Sequence, residues 1–355
     1  MYFALFLFTI VLLWIAVANF LTIRRPQSVS LTERSVTVLI PVRNEAENIV
    51  ELIDSLTKQS HLSSLEIIFI DDSSTDSTNK LLKTAVSEGA PIKIVSAPEL
   101  PNGWLGKPWA LQQGYLIARG EIIVTLDADV RLVPTAISQG IAMMGERDFI
   151  SPYPRQIAIS FAERLVQPLL QWSWMTTVPL RLAERSKRTS LAVANGQFFL
   201  VKKSSLDVIS GFQSIATEVL DDMKLARALI ATGAHGGVAD GSTLAQTRMY
   251  KNFAEIKSGY GKSLWSAFSS PLGAFAAIFF IFATGIAPLL AWFSGNPIGL
   301  FTYQIIVITR MISAKRSGGK VIDSFLHPIS SAILIYLIIY SWRARGKVQW
   351  KGRTL

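Results

Sequence analysis

Apolar residues run almost unbroken at both ends of the chain and fall into short blocks through its middle. Met1–Ile23 carries no charge, and its length suits a helix that crosses a bilayer. Ala16-Val17-Ala18 resembles a signal-peptidase site, which leaves a cleaved leader as the alternative. No basic residue precedes the run, however, and Arg24-Arg25 follows it, so the pattern favours an uncleaved anchor with its amino terminus outside. After a polar linker, Pro26–Arg34, the blocks Val36–Ile40, Glu66–Ile70, Ile92–Ser96 and Glu121–Leu126 read as buried strands. Between them Ile49, Leu52, Ile53 and Leu56, and later Leu81, Leu82 and Ala85, recur at helical spacing. Asn44 is placed to cap the first of these helices. Strands alternating with helices predict an α/β fold with a doubly wound, mostly parallel sheet.

Two later stretches are apolar as well. Ile157–Ala183 includes Phe161, Leu165, Leu169, Trp172, Trp174 and Met175, and Arg181–Arg188 then adds four basic residues. Either the segment rests on a membrane surface, or it is a core helix with an exposed basic end. Ser263–Thr309 has no charged residue over 47 positions, enough for two crossings of roughly 20 residues each. Pro271 and Gly295-Asn296-Pro297 mark the breaks. Arg310, Lys315, Arg316 and Lys320 then read as a cytoplasmic loop. Ser324–Trp342 is apolar again, and Arg343, Arg345, Lys347, Lys351 and Arg353 follow it. Basic flanks on both sides cannot enclose one full crossing. The uninterrupted stretch Ile329–Trp342 would be ~21 Å long as a helix, so a re-entrant or tilted segment is expected there.

Composition sharpens this picture. The 355 residues are 50% hydrophobic with a net charge of +10, and mean hydropathy is +0.36. The basic residues gather beside apolar segments, which suits an anionic membrane surface and not nucleic acid. There is no cysteine, and the three histidines lack zinc-site spacing.

The chemistry sits at strand ends. Pro41–Glu45 follows the first strand, Asp71-Asp72 the second, and Asp127-Ala128-Asp129 the fourth. Ligands bind beyond the carboxyl ends of strands in such sheets. Paired acids there suit a hard divalent cation with a phosphate behind it. No GxGxxG follows the first strand, which argues against a dinucleotide fold of the dehydrogenase type, and no GxxxxGK[ST] occurs anywhere, which excludes a P-loop.

The succession PVRNEAENI, IDDSSTDST, WLGKPWAL and LDAD resembles family 2 glycosyltransferases with the Rossmann-like GT-A fold. WLGKPWAL and the closing VQWKGRTL are similar to the branch that includes hopanoid-associated and carotenoid (diaponeurosporenoate) glycosyltransferases. The resemblance implies that Pro41, Arg43 and Glu45 lie against the nucleotide and that Asp71 and Asp72 hold the uracil and ribose. It places Lys107 at the sugar or diphosphate. Asp127 and Asp129 correspond to the DxD motif, with Asp129 on the metal (Mg²⁺ or Mn²⁺) and Asp127 on ribose, sugar or metal. Asp221-Asp222 followed by Leu225 corresponds to the ED-x-x-L motif, with Asp instead of Glu first, which makes Asp222 the catalytic base. Gly196, in Asn195-Gly196-Gln197, lies beneath the sugar. The QxxRW motif of processive synthases is absent, which implies transfer of one sugar. Arg248 or Lys251 is then the cation expected at the diphosphate.

Each residue also has a plainer role. Asp221 and Asp222 open an apolar-faced helix and could serve its dipole. Lys107 could be a solvated loop residue, and Arg43 could pair with Glu47 along a helix. Taken together, the expectation is a multi-pass protein of the cell membrane. Its parts are an anchor at 1–23, a cytoplasmic GT-A domain at 24–262, a region of two to three membrane segments at 263–342 and a basic tail at 343–355. The expected activity is inverting transfer of a sugar from a nucleotide sugar, with UDP as the favoured nucleotide, to a lipid acceptor of terpenoid or carotenoid type. Two alternatives remain: a polyprenyl phosphate as acceptor, and a non-enzymatic membrane scaffold that binds nucleotide sugar.

Overall fold

A computed structural model describes residues 2–27, 31–268, 270–345, 349–350 and 353–354. Lys347 and, of the VQWKGRTL tail, Val348, Lys351, Gly352 and Leu355 lie outside the described residues. The chain forms two compact units. One comprises Ile23–Arg155 and Leu182–Thr247, and the other Met1–Thr22, Gln156–Arg181 and Arg248–Leu355.

The first unit is built on an eight-stranded sheet. Its strands are β1 (Val36–Val42), β2 (Leu65–Asp71), β3 (Lys93–Ser96), β4 (Ile122–Leu126), β5 (Val130–Leu132), β6 (Phe149–Gln156), β7 (Phe198–Lys202) and β8 (Gly236–Thr247). Their order is β3-β2-β1-β4-β7-β6-β8-β5. β3, β2, β1 and β4 are parallel, with Val38 opposite both Ile67 and Val124. β7 then runs antiparallel to β4, and β6 antiparallel to β7.

Alternation along each strand feeds two cores, as expected when helices cover both faces. Val38, Ile40, Ile67, Phe69 and Val124 pack with Ile49, Leu52 and Leu56 of helix Ala46–Thr57. Leu39, Ile68, Ile70 and Ile123 face the other side. There they meet Ala110 and Leu111 of helix Gly106–Ile117 and Leu225 and Leu229 of helix Asp221–Ala231. The near-continuous apolar runs read from the sequence are thus strands buried on both faces. The expected Asn44 cap is replaced. Asn44 has φ +53°, and Asp76 of the following loop accepts the Ala46 N–H at 3.1 Å. Asn44 Oδ1 instead accepts the Thr75 N–H at 2.8 Å.

The second unit is helical. Tyr2–Thr22, Pro271–Phe293, Pro297–Ser317 and Val321–Arg343 are each long and apolar enough to cross a membrane. Gly295, at φ +87°, and the Asn296 cap separate the second from the third, where the sequence placed its break. Val321–Arg343 is a short 3-10 segment continued by helix His327–Arg343. Ile157–Ala183 becomes short helices, of which the part up to Arg181 belongs to this unit. Trp172 and Trp174 are buried, and Asn19 ties the segment to the first helix. Its Nδ2 donates to Met175 O at 2.9 Å and Val178 O at 2.7 Å, and its Oδ1 accepts the Leu180 N–H. Within the unit, Trp172 and Trp174 are therefore core, whereas Phe161 is exposed. Arg310, read from the sequence as the start of a loop, is buried inside helix Pro297–Ser317.

Candidate active site

The carboxyl ends of β1, β2 and β4 lie side by side, because these strands are sheet neighbours in the order β2-β1-β4. β1 delivers Pro41 and, just beyond its end, Arg43 and Glu45. Arg43 donates to the backbone carbonyl of Asp72, and its guanidinium lies 3.9 Å from the Asp72 carboxylate. Asp71 is tied into its own loop. It accepts the Ser74 N–H at 2.9 Å and the Asn79 amide at 2.8 Å. The loop after β2 is thereby held in one shape, with both acids buried.

β4 ends on Asp127. Its N–H donates to Gln197 O at 3.1 Å, which fixes the strand end against the entry to β7. Lys107, in the first turn of helix Gly106–Ile117, reaches this point. Its Nζ is 2.8 Å from Asp127 Oδ1 and 3.1 Å from Asp221 Oδ2. Asp222, next in the chain, accepts the Gly196 N–H at 2.9 Å and the Met223 N–H at 2.7 Å. A Cβ on Gly196 would stand 3.1 Å from Asp222 Cβ and 3.4 Å from Lys107 Nζ. Glycine therefore keeps a gap between these two groups. Asp129 accepts a hydrogen bond from Thr247 Oγ1 at 2.8 Å.

The electrostatics follow from crowding. Burial would pull the Lys107 ammonium down, but Asp127 and Asp221 hold it well above its ordinary value. Asp127 is raised by burial and by Asp129 and Asp221, against the pull of Lys107. Asp129 is raised by burial and by Glu45, although Thr247 opposes the shift. Burial and the neighbouring Asp221 push Asp222 up to about 6. Like charges packed this closely disfavour ionisation, and a positive partner restores it.

That acid excess bears on the divalent metal. Two hard carboxylates, Asp127 and Asp129, sit one residue apart at a strand end, and the cation paired with Asp127 is the single charge of Lys107. Among the described residues no group of three or more His, Cys, Asp or Glu forms a complete metal cage. Magnesium-like ions bound through one or two carboxylates plus substrate phosphates fit such a donor set.

Residues 37–210 match the Glycosyl transferase family 2 domain. The chain carries a family 2 glycosyltransferase domain. Its relatives include 4,4'-diaponeurosporenoate glycosyltransferases. That of Staphylococcus haemolyticus is 26% identical over 342 residues, covering 91% of this chain and 88% of the relative. That of Staphylococcus aureus is 24% identical over 349 residues, covering 93% and 90%. The fold of this chain is similar to that of the mannosyltransferase PcManGT from Pyrobaculum calidifontis, solved in complex with GDP-Man and Mn²⁺. The TM-score is 0.60 at 18% identity, covering 99% of this chain and 96% of that one.

Within the sheet unit, the structure brings Lys107, Asp127, Gly196, Asp221 and Asp222 into direct contact, with Asp129 one residue from Asp127. Arg248 and Lys251 belong to the helical unit. There Arg248 donates through Nε and Nη2 to Glu163 at 3.0 and 3.2 Å, and the Lys251 N–H donates to Glu255. Two residues escaped the sequence reading. Thr247 ends β8 on Asp129, and Tyr153, buried on β6, is raised by its burial and by Asp222. Neither stands in a motif. Both reach the site through the antiparallel half of the sheet.

Proposed function

We propose that the chain is a membrane-bound, inverting glycosyltransferase that moves one sugar from a nucleotide-sugar donor to a lipid acceptor. The observation that carries this reading is the Lys107–Asp127–Asp221 ion cluster with Asp222 and Gly196 against it. Asp222 takes the proton from the acceptor hydroxyl as that oxygen bonds to the anomeric carbon. A carboxylate held near 6 is ionised at neutral pH and still basic enough for the task. Gly196 leaves the space in which the sugar lies between Asp222 and Lys107. Lys107 faces the leaving diphosphate and offsets its charge. Arg43, Glu45, Pro41, Asp71 and Asp72 flank the nucleotide. A Mg²⁺ or Mn²⁺ held by Asp127 and Asp129 would supply further positive charge to that diphosphate.

The lipid acceptor is supported by the four apolar helices and by the substrate in the relatives' names, 4,4'-diaponeurosporenoate. Basic residues after the first of these helices (Arg24 and Arg25) and in or just past the last turn of the third (Lys315, Arg316 and Lys320) support a cytoplasmic active site, where nucleotide sugars are made. UDP is the favoured nucleotide. We take residues 24–262 as the catalytic stretch of the sequence and 1–23 and 263–342 as the membrane part.

The test is hydrolysis of a panel of UDP- and GDP-sugars by the detergent-solubilised protein, with and without Mn²⁺ or Mg²⁺. Metal-dependent release of nucleotide, lost in Asp129→Ala, is expected. Release that is indifferent both to metal and to this substitution would overturn the assignment.

A further inference from the structure

The helical unit buries a charge that its own residues compensate only in part. Arg310, inside helix Pro297–Ser317, is 2% exposed. Among the described residues its guanidinium has one hydrogen-bonding partner, His327 Nδ1 at 3.3 Å. His327 is itself fully buried. Its Nε2 lies 3.4 Å from Ser331 Oγ, and its ring packs edgewise against Trp172 at 4.6 Å. Asp323 acts on Arg310 through space, but Arg164 already grips it, through Nε at 2.9 Å and through Nη2. Two guanidinium groups thus share one carboxylate.

A second observation concerns the junction at which the segment Val321–Leu326 packs against helix Pro297–Ser317, helix Phe161–Val166 and helix His327–Arg343. Both amide atoms of Gln167, Oγ of Ser324 and Oγ of Ser330 are buried without a hydrogen-bond partner. These residues are 4%, 1% and 0% exposed. Arginine offers five N–H donors and cannot shed its proton. Leaving it desolvated and unpaired is costly, and more so in a hydrocarbon layer. The missing partner must accept several hydrogen bonds and carry negative charge, which excludes a metal cation. The helices around the junction are apolar enough to span a membrane, so the ligand must have an apolar tail to share that environment.

We propose that the Arg310–His327 cluster binds the anionic headgroup, a carboxylate or a phosphate, of an amphiphilic lipid. Arg310 supplies the charge, and Gln167, Ser324 and Ser330 complete the hydrogen bonding. The inference rests on reading these helices as membrane spans and not on the transfer reaction, and its test reads binding instead of turnover.

The full chain in detergent, stripped of co-purified lipid, would be unfolded thermally in the presence of oleate or dioleoyl phosphatidate. Oleyl alcohol and dioleoylglycerol serve as neutral counterparts, and acetate and inorganic phosphate as tailless ones. At least one anionic amphiphile is expected to raise the unfolding midpoint, and which one responds tells a carboxylate site from a phosphate site. Arg310→Met should remove that response, while its lipid-free midpoint equals or exceeds that of the wild type, because an unpaired buried charge has been replaced by an apolar chain of similar shape. Arg310→Lys should keep the response in weakened form. An equal rise with the neutral lipids or the tailless anions would overturn the proposal. So would no rise at all, or a lipid-free Arg310→Met that unfolds well below the wild type.

Discussion

Glu163 in the helical unit and Asp222 in the sheet unit both occupy the first turn of a helix, yet their surroundings treat them differently. Glu163 closes a capping box with Ser160 and also receives two N–H groups of Arg248. Burial pushes its carboxyl up, but Arg248 and Ser160 outweigh that and hold it below its ordinary value. Asp222 accepts two backbone N–H groups, those of Gly196 and Met223. The lysine near it is engaged by Asp127 and Asp221, so burial and Asp221 prevail and raise it to about 6. A carboxylate with its own arginine is a strut. One that must share a lysine with two other acids is ready to take a proton. Arg248, the cation expected at the diphosphate, is held here by Glu163.

The comparison breaks most directly at Asp222. Asp222→Asn should reduce sugar transfer by ~10²–10⁴-fold while donor binding, read by calorimetry, stays intact. Retained transfer would instead favour an acceptor that is already an anion, a phosphate or a carboxylate, which needs no base. Gly196→Ala comes next. Its methyl enters the gap between Asp222 and Lys107, and a misplaced sugar should lower kcat by about 10- to 100-fold with the unfolding midpoint little changed.

The pH profile sharpens the same point. Asp222 must be ionised to act, and it ionises at about 6 instead of its ordinary 3.8. Transfer should therefore fall about tenfold per pH unit below 6 and level off above it. The stability sign follows from the same shift. Because the fold favours protonated Asp222, its contribution is fully present below the ordinary carboxylate value and is lost as pH rises through about 6. At pH 8, Asp222→Asn should consequently melt above the wild type.

A strut should behave the other way. Glu184 is buried and takes Arg24 at 3.1 Å and Arg147 at 3.4 Å. Glu184→Gln should cost about 1–3 kcal/mol in denaturant unfolding with no change in the pH profile. The exposed Lys58–Asp54 pair, by contrast, sits at helical spacing on the surface. Asp54→Ala should change stability by less than about 0.5 kcal/mol.

Much of this was readable before any coordinates. The strands Val36–Ile40, Glu66–Ile70 and Glu121–Leu126 declare themselves by unbroken apolar runs, and Ile49, Leu52 and Leu56 by helical period. Asp127 and Asp129 mark the ligand edge because a buried strand ends abruptly in two acids. β7 and β8 were harder to see, since antiparallel strands interleaved with short helices have no regular spacing. Thr247 and Tyr153 went unrecognised with them. Trp172 and Trp174 could equally have faced lipid or core, because a stripe of aromatics has the same period in both. Asn19, more than 150 positions away, decides between them by holding the backbone of that segment.

By itself, then, the sequence determined the local and the periodic: the α/β alternation, the apolar helices at both ends and the acids at the strand tips. Only the tertiary structure decided which charge answers which. Lys107 goes to Asp127 and Asp221, Arg248 to Glu163 and Arg164 to Asp323, while Asp222 and Arg310 are left without a dedicated counter-charge. Periodicity is a property of neighbours along the chain. An ion pair is a distance in space between residues 20 to 160 positions apart, and the fold alone sets that distance.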